Sequence, residues 1–335
     1  MKIKRLSAVV MIAVIALASV LGQAVGEKNF LEPEQTDVKV IALKGPTGMG
    51  LSKLMSESDQ GNTGSNKYEF TLAGAIDEVT ARLLKGEVDL AAVPANLASV
   101  LYNKTQGKIE VVAINTLGVI YIVEKGNAVH SVADLKGKTI FASGKGATPE
   151  YGLNYILSAN GIDPIKDIDI QFKSEHAECV AALAASPSGI AMLPEPFVTT
   201  SQMKNPDIHV VLDLTEEWDK LQKGTDSPSA MITGVIVGTR DFLENNPEAV
   251  SLFLDQYRES VEYVNENVSE AAKIIGGYGI VPQAVAEKAI VNCNIVFIEG
   301  NMMKSQLGGY LAELFRQNPA AVGGKLPDDG FYYSR

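Results

Sequence analysis

Seven short apolar runs, at residues 38–43, 88–93, 109–114, 138–142, 168–172, 189–193 and 208–212, alternate with stretches whose apolar positions recur at helical spacing. The clearest helices fall at 76–84, 151–159 and 179–185. Strands that are apolar on both faces and interleaved with helices indicate parallel sheets covered by helices. The same pattern is written twice. Ile41 to Leu43 is answered by Ile140 to Ala142, Tyr68-Glu69-Phe70 by Ile170-Gln171-Phe172, and Leu90-Ala91-Ala92-Val93-Pro94 by Ile190-Ala191-Met192-Leu193-Pro194. Glu78-Val79-Thr80-Ala81 returns as Glu178-Cys179-Val180-Ala181, and Ile109 to Val112 as Ile208 to Val211, all at an offset of 99 to 102 residues. So long a period marks a duplicated domain, because solenoid repeats run about 20 to 50 residues.

Two further strand-like runs, 118–123 and 232–237, bracket the second half of the repeat and are predicted to carry the chain between lobes as hinge strands, with two ordinary sheet strands as the alternative. Beyond them Asn246-Pro247-Glu248 opens an amphipathic helix through Val250, Phe253, Leu254, Tyr257, Val261 and Val264, expected to pack on the first lobe. From Asn318 onwards the pattern turns irregular. The expected fold is α/β with two lobes, each a mostly parallel sheet flanked by helices, and two hinge crossings. The first lobe would comprise 36–119 and 236–335, the second 120–235.

Composition adds a compartment. The 335 residues, 46% hydrophobic and 21% charged, suffice for two ordinary domains. Lys2, Lys4 and Arg5 precede an uncharged apolar run from Leu6 to Gly22, the pattern of a secretory signal over 1–26, with Gly22 and Ala24 suited to cleavage. A retained anchor is the alternative, since the run is just long enough to span a bilayer. No Cys stands directly after it, which excludes lipidation at that point, so the protein is expected to be exported to the periplasm or cell surface without an acyl anchor. Those three cations are the only charges removed by cleavage, so the formal net charge of −11 would become −14. Such a surface disfavours nucleic acid and anionic lipid as partners. Cys179 and Cys293 fall in different lobes and are read as buried free thiols.

Ligands of open parallel α/β sheets bind beyond the carboxyl ends of the strands, where helix N-termini present unpaired N–H groups. The duplication therefore predicts two sets of loops facing each other. In the first, Gly45-Pro46-Thr47-Gly48 allows close backbone approach and offers a hydroxyl, or else forms a turn whose Thr47 caps the next helix. Opposite it stand Ser143, Gly144, Lys145, Gly146 and Thr148, with Thr148-Pro149 resembling an N-cap followed by the first helical residue. Gly74 with Asp77, and Asn96, complete the first wall; Ser174, Glu175, His176 and Glu195 occupy the matching places in the second. Glu195 serves equally as an acceptor for a ligand amine or as a carboxylate held by its helix dipole. His176 and Cys179 have metal-ligand chemistry but no second pair at a known spacing, so no metal and no cofactor is expected. Neither glycine turn ends as a phosphate-binding Walker loop does, and no hydrolase elbow, zinc-protease or dinucleotide motif is present.

Gly86-Glu87-Val88-Asp89-Leu90-Ala91, Asp134-Leu135-Lys136-Gly137-Lys138-Thr139-Ile140, Pro194-Glu195-Pro196-Phe197 and Asn246-Pro247-Glu248-Ala249-Val250 together give the chain a familiar look. It resembles the solute-binding proteins of ABC importers in the nitrate, sulfonate, taurine and thiamine-precursor group. The resemblance implies a type II periplasmic-binding-protein fold, capture of a small molecule between the lobes, and delivery to a membrane permease. It also implies that 45–48, 143–148 and Glu195 line the cleft. Two ligand classes stay open: a small anion or acid at the glycine-rich helix starts, or a heterocycle such as a pyrimidine stacked on Tyr121, Tyr151 or Phe197. The expected role is that of a monomeric binding protein rather than an enzyme. The alternatives are an enzyme related to thiamine-pyrimidine synthases, which work in the cytosol, and a ligand-sensing module of the same fold.

Overall fold

The computed structural model describes residues 35–225 and 229–335. The export signal expected over 1–26 lies outside the described residues. The chain runs β1 (Thr36–Leu43), α1 (Pro46–Met49), α2 (Ser52–Asp59), β2 (Asn66–Ala73), α3 (Ile76–Leu84), β3 (Leu90–Pro94), α4 (Ala95–Thr105) and β4 (Ile109–Leu117). Next come β5 (Ile120–Lys125), β6 (Thr139–Ala142), α5 (Thr148–Ala159), β7 (Asp169–Phe172), α6 (His176–Ala185), β8 (Gly189–Pro194), α7 (Phe197–Lys204), β9 (Ile208–Asp213) and α8 (Leu214–Gln222). It then returns through β10 (Ile232–Thr239), α9 (Arg240–Asn245), α10 (Pro247–Glu266), α11 (Val268–Gly277), α12 (Gln283–Ala289), β11 (Ile295–Ile298) and α13 (Gly300–Gln317).

Two sheets result, ordered β11-β4-β10-β3-β1-β2 and β7-β6-β8-β5-β9. The duplication extends to hydrogen-bond register: Val40 pairs with Phe70 and Leu90, and Ile140 with Ile170 and Ile190, each 100 residues further on. In both sheets the strand inserted beside the parallel trio is antiparallel to its neighbours. Following the ladders, β1, β2, β3 and β4 share one direction in the first sheet, and β6, β7, β8 and β9 in the second, so most strands of each are co-directional.

The two runs predicted to be hinge strands are those inserted strands. β10 lies between β3 and β4, and β5 between β8 and β9. Each is a buried interior strand, with Ile120–Val123 and Val235–Val237 buried on both faces. The changes of sheet occur instead in the two residues Gly118-Val119 and in the segment that precedes β10. Because β10 belongs to the first sheet from Ile232, the return does not fall at 235–236.

Side-chain alternation supplies the cores. Ile41, Ala91 and Val93 enter one apolar cluster, while Val40, Ala42, Leu90 and Ala92 enter another on the opposite face of the sheet. The amphipathic helix α10 begins with Pro247 in its first turn and buries Val250, Phe253, Leu254, Tyr257, Val261 and Val264 in that second cluster. In the second lobe Val123, Cys179, Leu183 and Leu193 form a smaller cluster. Cys179 and Cys293 are both free and buried. No helix of the described residues is long and apolar enough to cross a membrane.

Candidate ligand-binding cleft

Topology alone brings the two sets of loops together. β4 ends at Leu117 and β5 starts at Ile120, whose partner Pro194 closes the carboxyl end of β8. β10 likewise starts against the carboxyl ends of β4 and β3, with Ile232 opposite Leu117 and Gly234 opposite Pro94. The carboxyl edges of both parallel trios therefore meet at the crossings. A third strand of chain reinforces them: Leu117 N donates to Asn294 O at 3.1 Å, Asn294 Nδ2 donates to Gly118 O, and Tyr121 Oη donates to Asn292 O at 3.2 Å.

On the first wall Gly45 occupies the left-handed side of backbone space, φ 133°, and its carbonyl accepts from Gly48 N and Met49 N at 3.0 and 2.9 Å. A Cβ on Gly48 would stand 2.7 Å from Leu43 O, so only glycine allows that turn. The half-buried Thr47 is not a cap: its hydroxyl donates to Leu43 O at 3.2 Å, and Gly45 holds the N-cap position. Its methyl lies beside Gly234, where an added Cβ would also meet the buried Asn115 and Thr116 side chains. Gly74 is exposed at the end of β2. Asn96, only 4% exposed, donates through Nδ2 to Ala321 O at 3.2 Å and across to Gly146 O at 3.5 Å. Two carbonyl neighbours fix its amide orientation, and its Oδ1 has no partner among the described residues.

On the second wall Ser143 is buried and its Oγ is hydrogen-bonded to His176 Nδ1 at the start of α6. Burial pushes His176 down to about 4, so the imidazole is neutral near pH 7; its ring centroid lies 5.0 Å from that of Phe197. Gly144 and Gly146 both have φ 76°, Gly146 N donates to Glu150 Oε2 at 2.6 Å, and the exposed Lys145 lies 5.8 Å from the Phe172 ring. Thr148 differs from expectation. Ala147 takes the N-cap position, and the buried Thr148 hydroxyl accepts from Tyr310 Oη at 3.0 Å. Glu195, 2% exposed, accepts from Thr199 N at 3.1 Å and from Thr199 Oγ1 at 3.0 Å. Its carboxylate thus serves the first turn of α7, and burial raises its pKa against the lowering effect of those bonds. Cys179 donates to Glu175 O at 3.7 Å, as a buried thiol does within its own helix.

The turns at 45–48 and 143–148, with Asn96 and Glu195, thus occupy the carboxyl edges of the two sheets, while Gly74 sits outermost. Sequence reading missed Asn115, Thr116, Asn292, Asn294 and Tyr310, whose places depend on strands and helices far along the chain. A cavity of about 290 Å³ lies elsewhere, between α2 and α10, lined by Lys53, Glu57, Gln256, Glu259 and Tyr263 among others.

Comparison with known proteins gives one family and several structures. The family described as "ABC transporter, phosphonate, periplasmic substrate-binding protein" matches residues 61–238. YtlA of Bacillus subtilis strain 168 is 22% identical over 258 residues, covering 65% of this chain and 76% of that protein. The crystal structure of an ABC transporter from Parabacteroides distasonis is 25% identical with a TM-score of 0.74, covering 90% of this chain and 100% of that one. The periplasmic aliphatic sulphonate binding protein SsuA from Escherichia coli, 17% identical, superposes with a TM-score of 0.70, covering 90% and 92%.

Proposed function

The chain belongs to the family of ABC-transporter phosphonate periplasmic substrate-binding proteins, and from that premise we propose how its own residues take a solute. A protein of this family works outside the cytoplasm, captures a small molecule and presents it to a transporter permease. In our reading the ligand lies between the turns at 45–48 and 143–148, with Asn96 at one side, and meets backbone amides and hydroxyls from both lobes. One observation carries this reading: the carboxyl edges of the two duplicated sheets meet at the crossings. The lobes would turn about Gly118-Val119 and the segment before β10, so that 36–117 and the chain from 232 onwards form one lobe.

The ligand we infer is a polar organic molecule bearing both acceptors and at least one N–H or O–H donor. Asn96 Oδ1 supports the donor, being a buried acceptor without a partner among the described residues. All five arginines of the described residues, Arg82, Arg240, Arg258, Arg316 and Arg335, are paired with glutamates. Recognition of negative charge would then fall to backbone amides, the Ser143 hydroxyl and Lys145. Ser143 suits this role: a neutral His176 carrying its proton on Nδ1 donates to Ser143 Oγ and leaves the serine hydroxyl free to donate to the ligand. Thr47 Oγ1, whose proton goes to Leu43 O, is left to accept from the ligand's donor. We propose a monomer that binds without making or breaking bonds and that is exported by its N-terminal basic-apolar segment.

Native mass spectrometry of protein purified without denaturation identifies the bound molecule, and incubation with excess protein should return it chemically unchanged. Titration with that molecule should show Thr47→Ala and Ser143→Ala each weakening binding by about 1 to 3 kcal/mol, roughly 5- to 150-fold. Unaltered affinity in both variants would remove the site from between these turns.

A further inference from the structure

The two crossings are not the only ties between lobes. Helix α13 follows β11 of the first sheet, and the turn after it, Pro319–Val322, is anchored on α4 of the same lobe. Ser99 Oγ and Asn103 Nδ2 both donate to Val322 O at 2.8 Å, and further on Tyr332 bridges Val111 of β4. Between these anchors the helix reaches into the second lobe. Tyr310, fully buried, donates to Thr148 Oγ1 of α5, and its ring centroid lies 5.5 Å from that of Trp218 on α8. Trp218 in turn donates through Nε1 to Ser229 O, at 3.1 Å, in the segment returning to the first sheet. A helix held at both ends by one lobe thus places an aromatic side chain in the wall of the other.

We propose that α13 is a latch whose Tyr310–Thr148 contact sets the balance between closed and open lobes, and thereby the apparent affinity for ligand. This rests on the solute-binding reading. Turning the lobes about the crossings moves α5 and α8 relative to β11 and α4, so Tyr310 must leave Thr148 and Trp218 or drag its helix off the first lobe. We take as closed the arrangement described, in which Asn96 Nδ2 reaches Gly146 O of the other lobe at 3.5 Å, so Tyr310 stabilises closure without touching ligand. Apparent affinity scales with the closed fraction, so Tyr310 is a positioning residue for capture. The latch also acts close to the cleft, because Thr148 ends the turn whose Gly146 carbonyl meets Asn96 from the first lobe. Asn96 Nδ2 donates to Ala321 O as well, so that turn and the segment that follows the latch helix are tied to one side chain.

The test needs no ligand. Ala81 on α3 and Ala181 on α6 are exposed and related by the repeat, whereas both native cysteines are buried. Spin labels on the full chain carrying Ala81→Cys and Ala181→Cys report lobe separation as a distance distribution. Tyr310→Phe and Thr148→Val remove the same hydrogen bond from opposite sides. Each should raise the open-to-closed ratio about five-fold, the effect of one net hydrogen bond, and the double variant should add nothing beyond either alone. Distributions that superimpose on the parent's, with only the unfolding midpoint lowered, would overturn the latch and leave Tyr310 a packing residue. If Tyr310→Phe does not fold, Thr148→Val decides by itself. A chain that captured no solute would still give these distances and would fail in the native mass spectrum instead.

Discussion

Ser143 and His176 show how one pair of residues couples the cleft to pH. His176 folds neutral, with its pKa held at about 4 by burial against an ordinary 6.5. The unfolded chain binds the extra proton first as pH falls, so this contribution is complete above pH 6.5 and is lost between 6.5 and 4. The loss reaches about 3 kcal/mol at most. Glu195 acts in the opposite sense, since its raised pKa makes burial of the carboxylate costly at neutral pH and relieves that cost as it protonates. Urea unfolding across pH 4 to 7 should therefore show the difference between the parent and His176→Gln shrinking as pH falls; a constant difference would place the histidine's proton equilibrium near its unfolded value. Strand-end positions made Ser143, Asn96 and Glu195 legible in the sequence. The pairings were not, although His176 was placed on the same wall: it lies 33 residues from Ser143, Tyr310 lies 162 from Thr148, and Ala321 lies 225 from Asn96. Short polar side chains advertise a capacity to bond, whereas the fold decides with what.

At the scale of elements, the repeat was legible because each half encodes its own parallel trio with apolar runs of matching length. The two further strands were legible as strands but not as members of the sheets, because each sheet takes its inserted strand from outside its own half-repeat. An apolar run near a crossing reads the same whether it bridges lobes or fills a gap in a sheet, and burial on both faces of β5 and β10 decided for the sheet. Gly118 marks where the chain does change sheets. A Cβ there would lie 2.1 Å from Thr215 Oγ1 and 2.9 Å from Thr215 Cβ, at the start of α8. Gly118→Ala should cost about 1 to 3 kcal/mol in chemical unfolding, as overpacking does. Thr215→Ala alone should be mild, since that hydroxyl has no partner among the described residues. Combined with Gly118→Ala it should recover part of the loss, leaving the clash with its own Cβ; strictly additive costs would mean that the crossing already yields at this point.

For the molecule as a whole, duplication, crossings and latch make one device, in which two sheets present like edges and three segments govern their approach. A binding protein of this kind works through differential affinity of its open and closed states. Scattering by the parent with and without its recovered ligand should therefore show compaction, and identical profiles at saturation would argue for a rigid cleft. The most direct test of the central claim is a crystal structure with the recovered ligand bound. The account expects it between the two sheets, touched at once by the Gly45–Gly48 turn and the Ser143–Thr148 turn, with Asn96 Oδ1 accepting from it. A ligand held by one lobe alone, or seated in the cavity beside Lys53 and Tyr263, would contradict it.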